Sequence, residues 1–208
     1  MPPLLGRRTF LFGLPLALAA CTGPSVIAPP EDIARVMHRE PGPPALTLFT
    51  VKNVGTENGA HTGLMISASQ RVIFDPAGSF GHPSIPETND VLFGITPRVE
   101  QAYISYHSRA SFYTVSQMVQ VTPEVAERAL RLALGYGAVA KANCSRATVD
   151  ILGQLPGFEA LHFTWFPDNL ERQFAQIPGV VTQEYRETDS DDNSALRGTY
   201  VPGAIPTP

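Results

Sequence analysis

A cysteine at the predicted start of a helix is the sequence feature that most constrains how this chain folds. Gly135, Gly137 and Asn143 are expected to end a preceding helix. From Cys144 onward, small and apolar side chains recur at the three- and four-residue spacing of one helical face, and these are Ala147, Thr148, Ile151 and Leu155. The spacing predicts a new helix with Cys144 in its first turn.

The first turn of a helix changes the chemistry of a thiol. Unpaired backbone N–H groups and the positive end of the helix dipole both favour the thiolate, which is the form of cysteine that attacks a carbonyl carbon. The same pattern is also typical of a small, buried and inert cysteine. Taken alone, the stretch around Cys144 is compatible with both interpretations.

The N-terminus has the form of an export signal. Arg7 and Arg8 precede an apolar run over residues 12–20, a pattern typical of the twin-arginine route. The run ends at Leu18-Ala19-Ala20-Cys21, which resembles the lipobox of bacterial lipoproteins. We therefore expect residues 1–20 to be removed, Cys21 to be lipidated, and residues 21–44 to form a tether. An ordinary signal peptide with a coincidental cysteine is the alternative.

The cysteine count gives Cys144 an unusual status. The chain has two cysteines, and lipidation of Cys21 would leave Cys144 unpaired in a compartment where structural cysteines normally form disulfides. A Cys21–Cys144 disulfide is the alternative, although it would tie the core to the tether.

Composition indicates one domain and excludes some partners. A chain of 208 residues with 43% hydrophobic residues is long enough to bury a core. Without the two signal arginines, 13 basic residues face 19 acidic ones, so the formal charge is 13 − 19 = −6. This balance argues against binding to nucleic acid and against binding to lipid through a polybasic segment. We expect a monomeric domain over residues 45–185 and a disordered tail over residues 186–208.

Hydrophobic patterns predict an α+β fold with a central antiparallel sheet of about five strands and the Cys144 helix packed on it. The predicted strands are 45–54, 61–66, 70–75, 111–121 and the extended segment 161–166. Residues 67–69 are the tight loop of a hairpin. Thr122, Pro123 and Glu124 supply the N-cap, first-turn proline and early acid of a helix running to about Leu134. Other predicted helices are 30–37, 99–106 and 167–177.

A cysteine nucleophile needs a base, and the chain offers four candidates in the predicted domain. They are His61, His82, His107 and His162. His61 begins a predicted strand, which would hold the imidazole more rigidly than a loop does. A satisfied or exposed strand histidine is the alternative.

The predicted hairpin also selects a partner for the base. If the paired positions begin at Ile66 and Gln70, then His61 lies opposite Asp75 and Gly63 lies opposite Ile73. A slip of one residue would turn Asp75 to the other face of the sheet. His82 follows two glycines in a predicted loop, and His107 follows a predicted helix, so Asp75 is the stronger candidate to orient His61.

These motifs together resemble the circularly permuted NlpC-type papain-like group, which includes lecithin retinol acyltransferase and several bacterial lipoproteins and hydrolases. The resemblance rests on the pattern His-x-Gly-apolar-x-apolar at residues 61–66, on the hairpin that ends in a polar residue, and on Asn143-Cys144 at a helix start. The histidine precedes the cysteine, as in the permuted members. The similarity covers roughly residues 46–166.

The resemblance implies a permuted papain-like fold with Cys144 as nucleophile, His61 as general base and acid, and Asp75 as the residue that orients the imidazole. The group often has histidine at that third position, so Asp75 departs from the common pattern. The backbone N–H of Cys144 would help to bind the oxyanion. No metal or organic cofactor is required.

The expected function is that of a lipid-anchored thiol hydrolase of the cell envelope that cleaves amide bonds of peptidoglycan or other peptides. A lipid-directed acyltransferase or esterase of the same fold is one alternative, and a non-catalytic envelope-binding lipoprotein is another. Metal binding by His61, His82 and His107 is a further alternative, but the sequence has no close His-x-His or Cys-x-x-Cys spacing.

Overall fold

A seven-stranded antiparallel sheet with strand order β4-β5-β3-β2-β1-β6-β7 forms the centre of the molecule. The computed structural model describes residues 26–203. The strands are β1 Ala45–Asn53, β2 Gly59–Ser67, β3 Arg71–Phe74, β4 Glu87–Thr88, β5 Val91–Leu92, β6 Phe112–Gln120 and β7 Val181–Tyr185. The helices are α1 Pro30–Val36, α2 Pro97–His107, α3 Pro123–Tyr136, α4 Cys144–Leu152 and α5 Pro167–Phe174. The predicted signal and the predicted lipidation site at Cys21 lie outside the described residues.

The predicted α+β class and antiparallel sheet are confirmed, but the predicted size of about five strands is wrong. Strands β4 and β5 have two residues each, too few to show an alternating pattern. Strand β7 is exposed on almost every residue, so its sequence does not alternate between apolar and polar.

The predicted extended segment 161–166 forms no strand. Side chains, rather than a neighbouring strand, accept hydrogen bonds from its backbone. The Oε1 atom of Gln173 accepts the N–H of His162, and the hydroxyl of Thr164 accepts the N–H of Phe166.

The two faces of the sheet carry different layers. One face packs against α3, α4 and α5 through a large core that includes Leu48, Leu64 and Phe74. The other face packs against α2 through a smaller core that includes Phe49 and Tyr103. Alternate residues of each strand therefore enter different cores, as the two-residue period of a strand requires.

Helix α4 begins at Cys144, as its apolar spacing predicted. The side chains of the predicted face, from Ala147 to Ile151, are buried against the sheet. Helix α3 begins after Thr122, whose hydroxyl accepts the N–H of Val125. Helix α4 lies over β2, and its first turn comes close to the first part of this strand, since the hydroxyl oxygens of Ser145 and Thr62 are 3.4 Å apart.

The hairpin of β2 and β3 has a register that differs from the predicted one by two residues. Leu64 pairs with Phe74 and Met65 with Ile73, whereas the sequence analysis paired Gly63 with Ile73. Among the described residues, β3 pairs with β2 only from Leu64 to Ser67. Strand β3 therefore does not extend alongside residues 59–63, the first part of β2. We call the gap in the sheet beside these residues the notch.

Residues 187–203, which composition predicted to be disordered, pack across the body. Asn193 donates to the carbonyl of Tyr106, and Gly198 donates to the carbonyl of Gly81. Tyr200 is buried and its hydroxyl donates to the carboxylate of Asp32 in α1. In the part of the chain that the structure describes, no helix combines the length and apolar character needed to span a bilayer.

Candidate active site

His61 and Asp75 lie in contact at the notch of the sheet. The Nε2 atom of His61 is 2.7 Å from Oδ1 of Asp75, so the ring donates a hydrogen bond to the carboxylate. The two residues are diagonal rather than direct neighbours, because the register, extended by one position past the last pair of Leu64 and Phe74, would place Asp75 opposite Gly63. A shift of two residues keeps both side chains on the same face, which explains why the predicted contact forms in a different register.

Gly63 leaves the space that this contact needs. A Cβ atom at position 63 would lie 2.3 Å from the hydroxyl oxygen of Tyr103 and 3.4 Å from Oδ1 of Asp75. Tyr103 is fully buried in α2, and its hydroxyl donates to the same Asp75 oxygen at 2.7 Å. Asp75 Oδ1 thus accepts two hydrogen bonds, one from His61 and one from Tyr103, across a strand position with no side chain.

Cys144 lies at the start of α4, on the side of the helix toward the same notch. Cys144 is 8% exposed, and its interactions with the backbone N–H of Thr62 and the hydroxyl of Ser145 lower the pKa of the thiol. The interaction with His61 lowers this pKa more strongly. Because Nε2 of His61 binds Asp75, Nδ1 is the ring nitrogen left for the thiol. The candidate nucleophile, base and orienting carboxylate therefore interact as one chain of groups.

The electrostatics of the site favour a charged thiolate and imidazolium. Burial raises the pKa of Cys144, but the hydrogen bond and positive charge of His61 outweigh burial, so the pKa lies below its usual value. Burial likewise lowers the pKa of His61, but the charge and hydrogen bond of Asp75 and the interaction with Cys144 raise it to about 10. Each shift stabilises the charged form of the pair.

Asp75 is the anionic centre of the site. Burial raises its pKa, but the charge and hydrogen bond of His61, together with the Tyr103 hydroxyl, lower it by more, so the pKa of this carboxyl lies below its usual value. Two other acids lie near it. Burial, followed by the charges of Asp90 and Asp75, raises the pKa of Glu87 to about 7. Glu87 is therefore only partly ionised at neutral pH, whereas Asp75 carries a full negative charge next to His61.

His107 lies beside this triad as a second, neutral imidazole. Its Nδ1 atom donates to the carbonyl of Tyr103 at 2.9 Å, and its ring stacks on His61 at a centroid distance of 5.6 Å. Burial lowers its pKa to about 4. His61, Asp75 and His107 offer ligand atoms within 4.8 Å of one another and could hold a divalent metal ion. Such an ion would compete with the hydrogen bond between His61 and Asp75.

The structure brings together Cys144, His61 and Asp75, with His107 beside them, but not His82 or His162. His82 is exposed and bonds to Ser84, and His162 is exposed on the segment before α5. The set His61, His82 and His107, considered as a metal site, is therefore not assembled.

Tyr103 is a site residue that was not predicted from the sequence. It lies one helical turn before His107, and the two share the face of α2 that covers the site. Thr96 and Pro97 are a cap and a first-turn proline like those of α3, so they marked the start of this helix in the sequence.

Comparison of the chain with protein-family models, with curated proteins and with solved structures finds no match.

Proposed function

We propose that this protein is a thiol hydrolase with a circularly permuted, NlpC-type papain-like fold that acts on amide bonds in the cell envelope. One observation carries the proposal: His61 is hydrogen-bonded to Asp75 at 2.7 Å through Nε2, and the same imidazole lowers the pKa of Cys144. A base fixed on one side by a carboxylate and facing a nucleophile on the other is the arrangement that thiol catalysis requires. The order of histidine before cysteine supports the permuted arrangement.

In the proposed reaction, the Cys144 thiolate attacks the carbonyl carbon of the substrate. The backbone N–H groups of the first turn of α4 stabilise the oxyanion that forms. The imidazolium of His61 then gives its Nδ1 proton to the leaving amine, the carbon–nitrogen bond breaks, and a thioester to Cys144 is left. His61, now neutral, takes a proton from water as the water attacks the thioester. Collapse of this second intermediate releases the acid and regenerates the thiolate–imidazolium pair.

Asp75 and Tyr103 have supporting roles in this scheme. Asp75 fixes the orientation of the His61 ring and stabilises its positive charge. The Tyr103 hydroxyl, bound to the same carboxylate oxygen, fixes the position of Asp75. Neither residue needs to contact the substrate.

A lipid-directed acyltransferase or esterase is the second candidate, and one observation favours it. Phe163, Trp165 and Phe166 are exposed on the segment before α5, close to the helix that carries the nucleophile. In this case an acceptor other than water would release the acyl group from the same Cys144 thioester.

The proposal is tested by incubating the purified protein with peptidoglycan peptides and, separately, with phospholipid, and analysing products and protein by mass spectrometry. We expect cleavage of amide bonds and a hydroxylamine-labile acyl group on Cys144. Cys144→Ala should abolish both, and His61→Ala should lower turnover by about 10²–10⁴-fold. His82→Ala is the matched control, since His82 bonds only locally to Ser84.

Alkylation gives a test that needs no substrate. Iodoacetamide should modify Cys144 well below the ordinary cysteine pKa of about 8.5, and His61→Ala should move the profile upward because only the weaker interactions with Thr62 and Ser145 then oppose burial. An unshifted profile that is identical in His61→Ala, together with no product from either substrate, would support the non-catalytic binding protein.

A further inference from the structure

Three exposed aromatic side chains border the candidate site. Phe163, Trp165 and Phe166 are 57%, 48% and 64% exposed, which is unusual for such large apolar residues. The rings of Phe163 and Trp165 pack edge to face at 5.3 Å. We call these three residues the aromatic patch.

The aromatic patch is connected to both reacting groups. On one side, the guanidinium of Arg146, two residues after Cys144 in α4, lies 5.8 Å from the ring centre of Trp165. On the other side, the backbone next to the patch packs closely on the start of β2, since a Cβ atom at Gly59 would lie 2.5 Å from the backbone nitrogen of Asp168. His61 follows two residues later in β2. The patch therefore lies at the edge of the site.

The N-terminal end of the described chain lies near the end of the sheet that carries the candidate site. The carbonyl of Val26 accepts the N–H of Asn89, and the carbonyl of Asp90 accepts the N–H of Asp75. The turn at residues 89–90 therefore lies between Val26, the first described residue, and Asp75 of the candidate site. Cys21 lies five positions before Val26, so the two residues are at most about 18 Å apart. A lipid on Cys21 would hold this end of the molecule close to the bilayer.

We propose that the aromatic patch is a membrane-contact surface that inserts into the bilayer interface and turns the mouth of the candidate site toward the membrane. Aromatic rings are favoured at the level of the lipid headgroups, where an apolar face is buried and a polar edge stays wet. The inference rests on the proposed site and on the predicted anchor at Cys21. A short tether would hold the site close to the bilayer, and the apolar surface lies at the rim of the site. We therefore infer that the aromatic patch contacts the bilayer rather than another protein.

Charge contributes little to this contact. Arg146 is paired with Asp150 at 3.8 Å, and Arg172 is paired with Asp168 at 2.8 Å. The basic groups next to the patch are thus neutralised locally, and they form no cluster that would attract anionic lipid. Insertion is apolar, so it should be insensitive to ionic strength.

Trp165 is the only tryptophan of the 208 residues, so the fluorescence of the whole chain reports on the patch. The lipidated full chain is placed in vesicles of phosphatidylethanolamine and phosphatidylglycerol, with and without bromine on the acyl chains. We expect bromine to quench the emission, and we expect aqueous iodide to quench it only weakly. The bromine quenching should be equal in low and high salt.

Matched variants separate the patch from other exposed apolar residues. Phe163→Ser with Phe166→Ser should reduce bromine quenching and increase iodide quenching. Val181→Ser with Leu196→Ser changes two apolar residues of similar exposure, 62% and 46%, outside the patch and should leave quenching unchanged. Cys144→Ser should quench like the wild type, so a failure of the proposed chemistry and a failure of membrane contact give different results.

The proposal is overturned if bromine does not quench Trp165 while iodide quenches it freely in the vesicle-bound protein. It is also overturned if bromine quenching disappears at high salt, which would indicate electrostatic docking. Absence of bromine quenching combined with a raised KM in the double patch variant would assign the patch to the substrate instead.

Discussion

At the scale of single residues, the charge on Cys144 depends on its neighbours more than on the helix end. The sequence predicted a thiolate from the position of Cys144 in the first turn of a helix. In the structure burial opposes the thiolate, and the hydrogen bond and charge of His61 more than compensate. Asp75 in turn keeps His61 charged against the cost of burial. The state of the sulfur is therefore set by a chain of three groups.

The contact between His61 and Asp75 makes stability depend on pH. The pKa of His61 is raised from 6.5 to about 10, so its contribution is complete below pH 6.5 and is lost as the pH rises through 10. The pKa of Asp75 is lowered from 3.8, so its contribution is present above pH 3.8 and is lost as the pH falls through the lower folded value. The pair therefore stabilises the fold most between about pH 4 and 6.5.

We expect Asp75→Asn to lower the free energy of unfolding by about 1.5–3 kcal/mol near pH 6, the range for hydrogen bonds to charged groups. The deficit should shrink toward pH 10, where wild-type His61 also loses its proton. Turnover should fall by about 10²-fold because the imidazole loses its orientation. Urea unfolding at several pH values measures the first effect. A deficit that stays constant from pH 5 to pH 10 would contradict the charged pair.

At the scale of elements, the hairpin shows what a sequence can and cannot specify. Alternation of apolar residues placed β2 and β3 correctly and put His61 and Asp75 on one face. The register could not be obtained in this way, because a shift of two residues preserves every inside–outside assignment. Tyr103 was missed for a related reason. The packing of α2 on this face depends on contacts between elements far apart in the chain.

Gly63→Ala should test the space across the hairpin. The new Cβ would lie 2.3 Å from the Tyr103 hydroxyl, and Tyr103 is fully buried and has little room to move. We expect a loss of stability of about 1–3 kcal/mol, typical of overpacking, together with a loss of turnover. Thermal or urea unfolding measures the first effect, and hydrolysis assays measure the second.

A second substitution tests whether the Tyr103 hydroxyl causes the loss of stability in Gly63→Ala. Tyr103→Phe removes the hydroxyl oxygen, so the double variant Gly63→Ala, Tyr103→Phe should be more stable than Gly63→Ala alone. Gly55→Ala is the control, since its Cβ would meet only Asn53 Oδ1 at an ordinary 3.5 Å. If Tyr103→Phe added its own loss to that of Gly63→Ala, the steric explanation would fail.

At the scale of the whole molecule, one sheet joins regions that the sequence analysis treated separately. The sequence predicted a loop around His82 and a disordered tail over residues 186–208. The structure places β4 at one edge of the sheet and packs the C-terminal segment between residues 81–83 and α1. These segments gain order from a few specific contacts, such as that of Tyr200 with Asp32, which local composition does not report.

The predicted anchor can be tested on the whole protein. We expect Cys21→Ser to release the protein from the membrane fraction or to block its maturation, because the lipid supplies most of the attachment. The aromatic patch alone is a marginal anchor, as single apolar attachments are. Cell fractionation with immunoblotting measures the distribution. Retention of Cys21→Ser in the pellet after a salt wash without detergent would place the anchor elsewhere.

The empty position at Gly63 also has a consequence for mutational tolerance. Tyr103 and Asp75 lie so close to Gly63 that any side chain there would disturb them and, through Asp75, His61. Selection at this position therefore favours the residue without a Cβ atom. In a saturation scan scored by activity, nearly every codon change at position 63 should be deleterious, although the residue takes no part in the reaction. If a lineage lost its use for the thiol, this glycine would be free to drift as soon as His61 did.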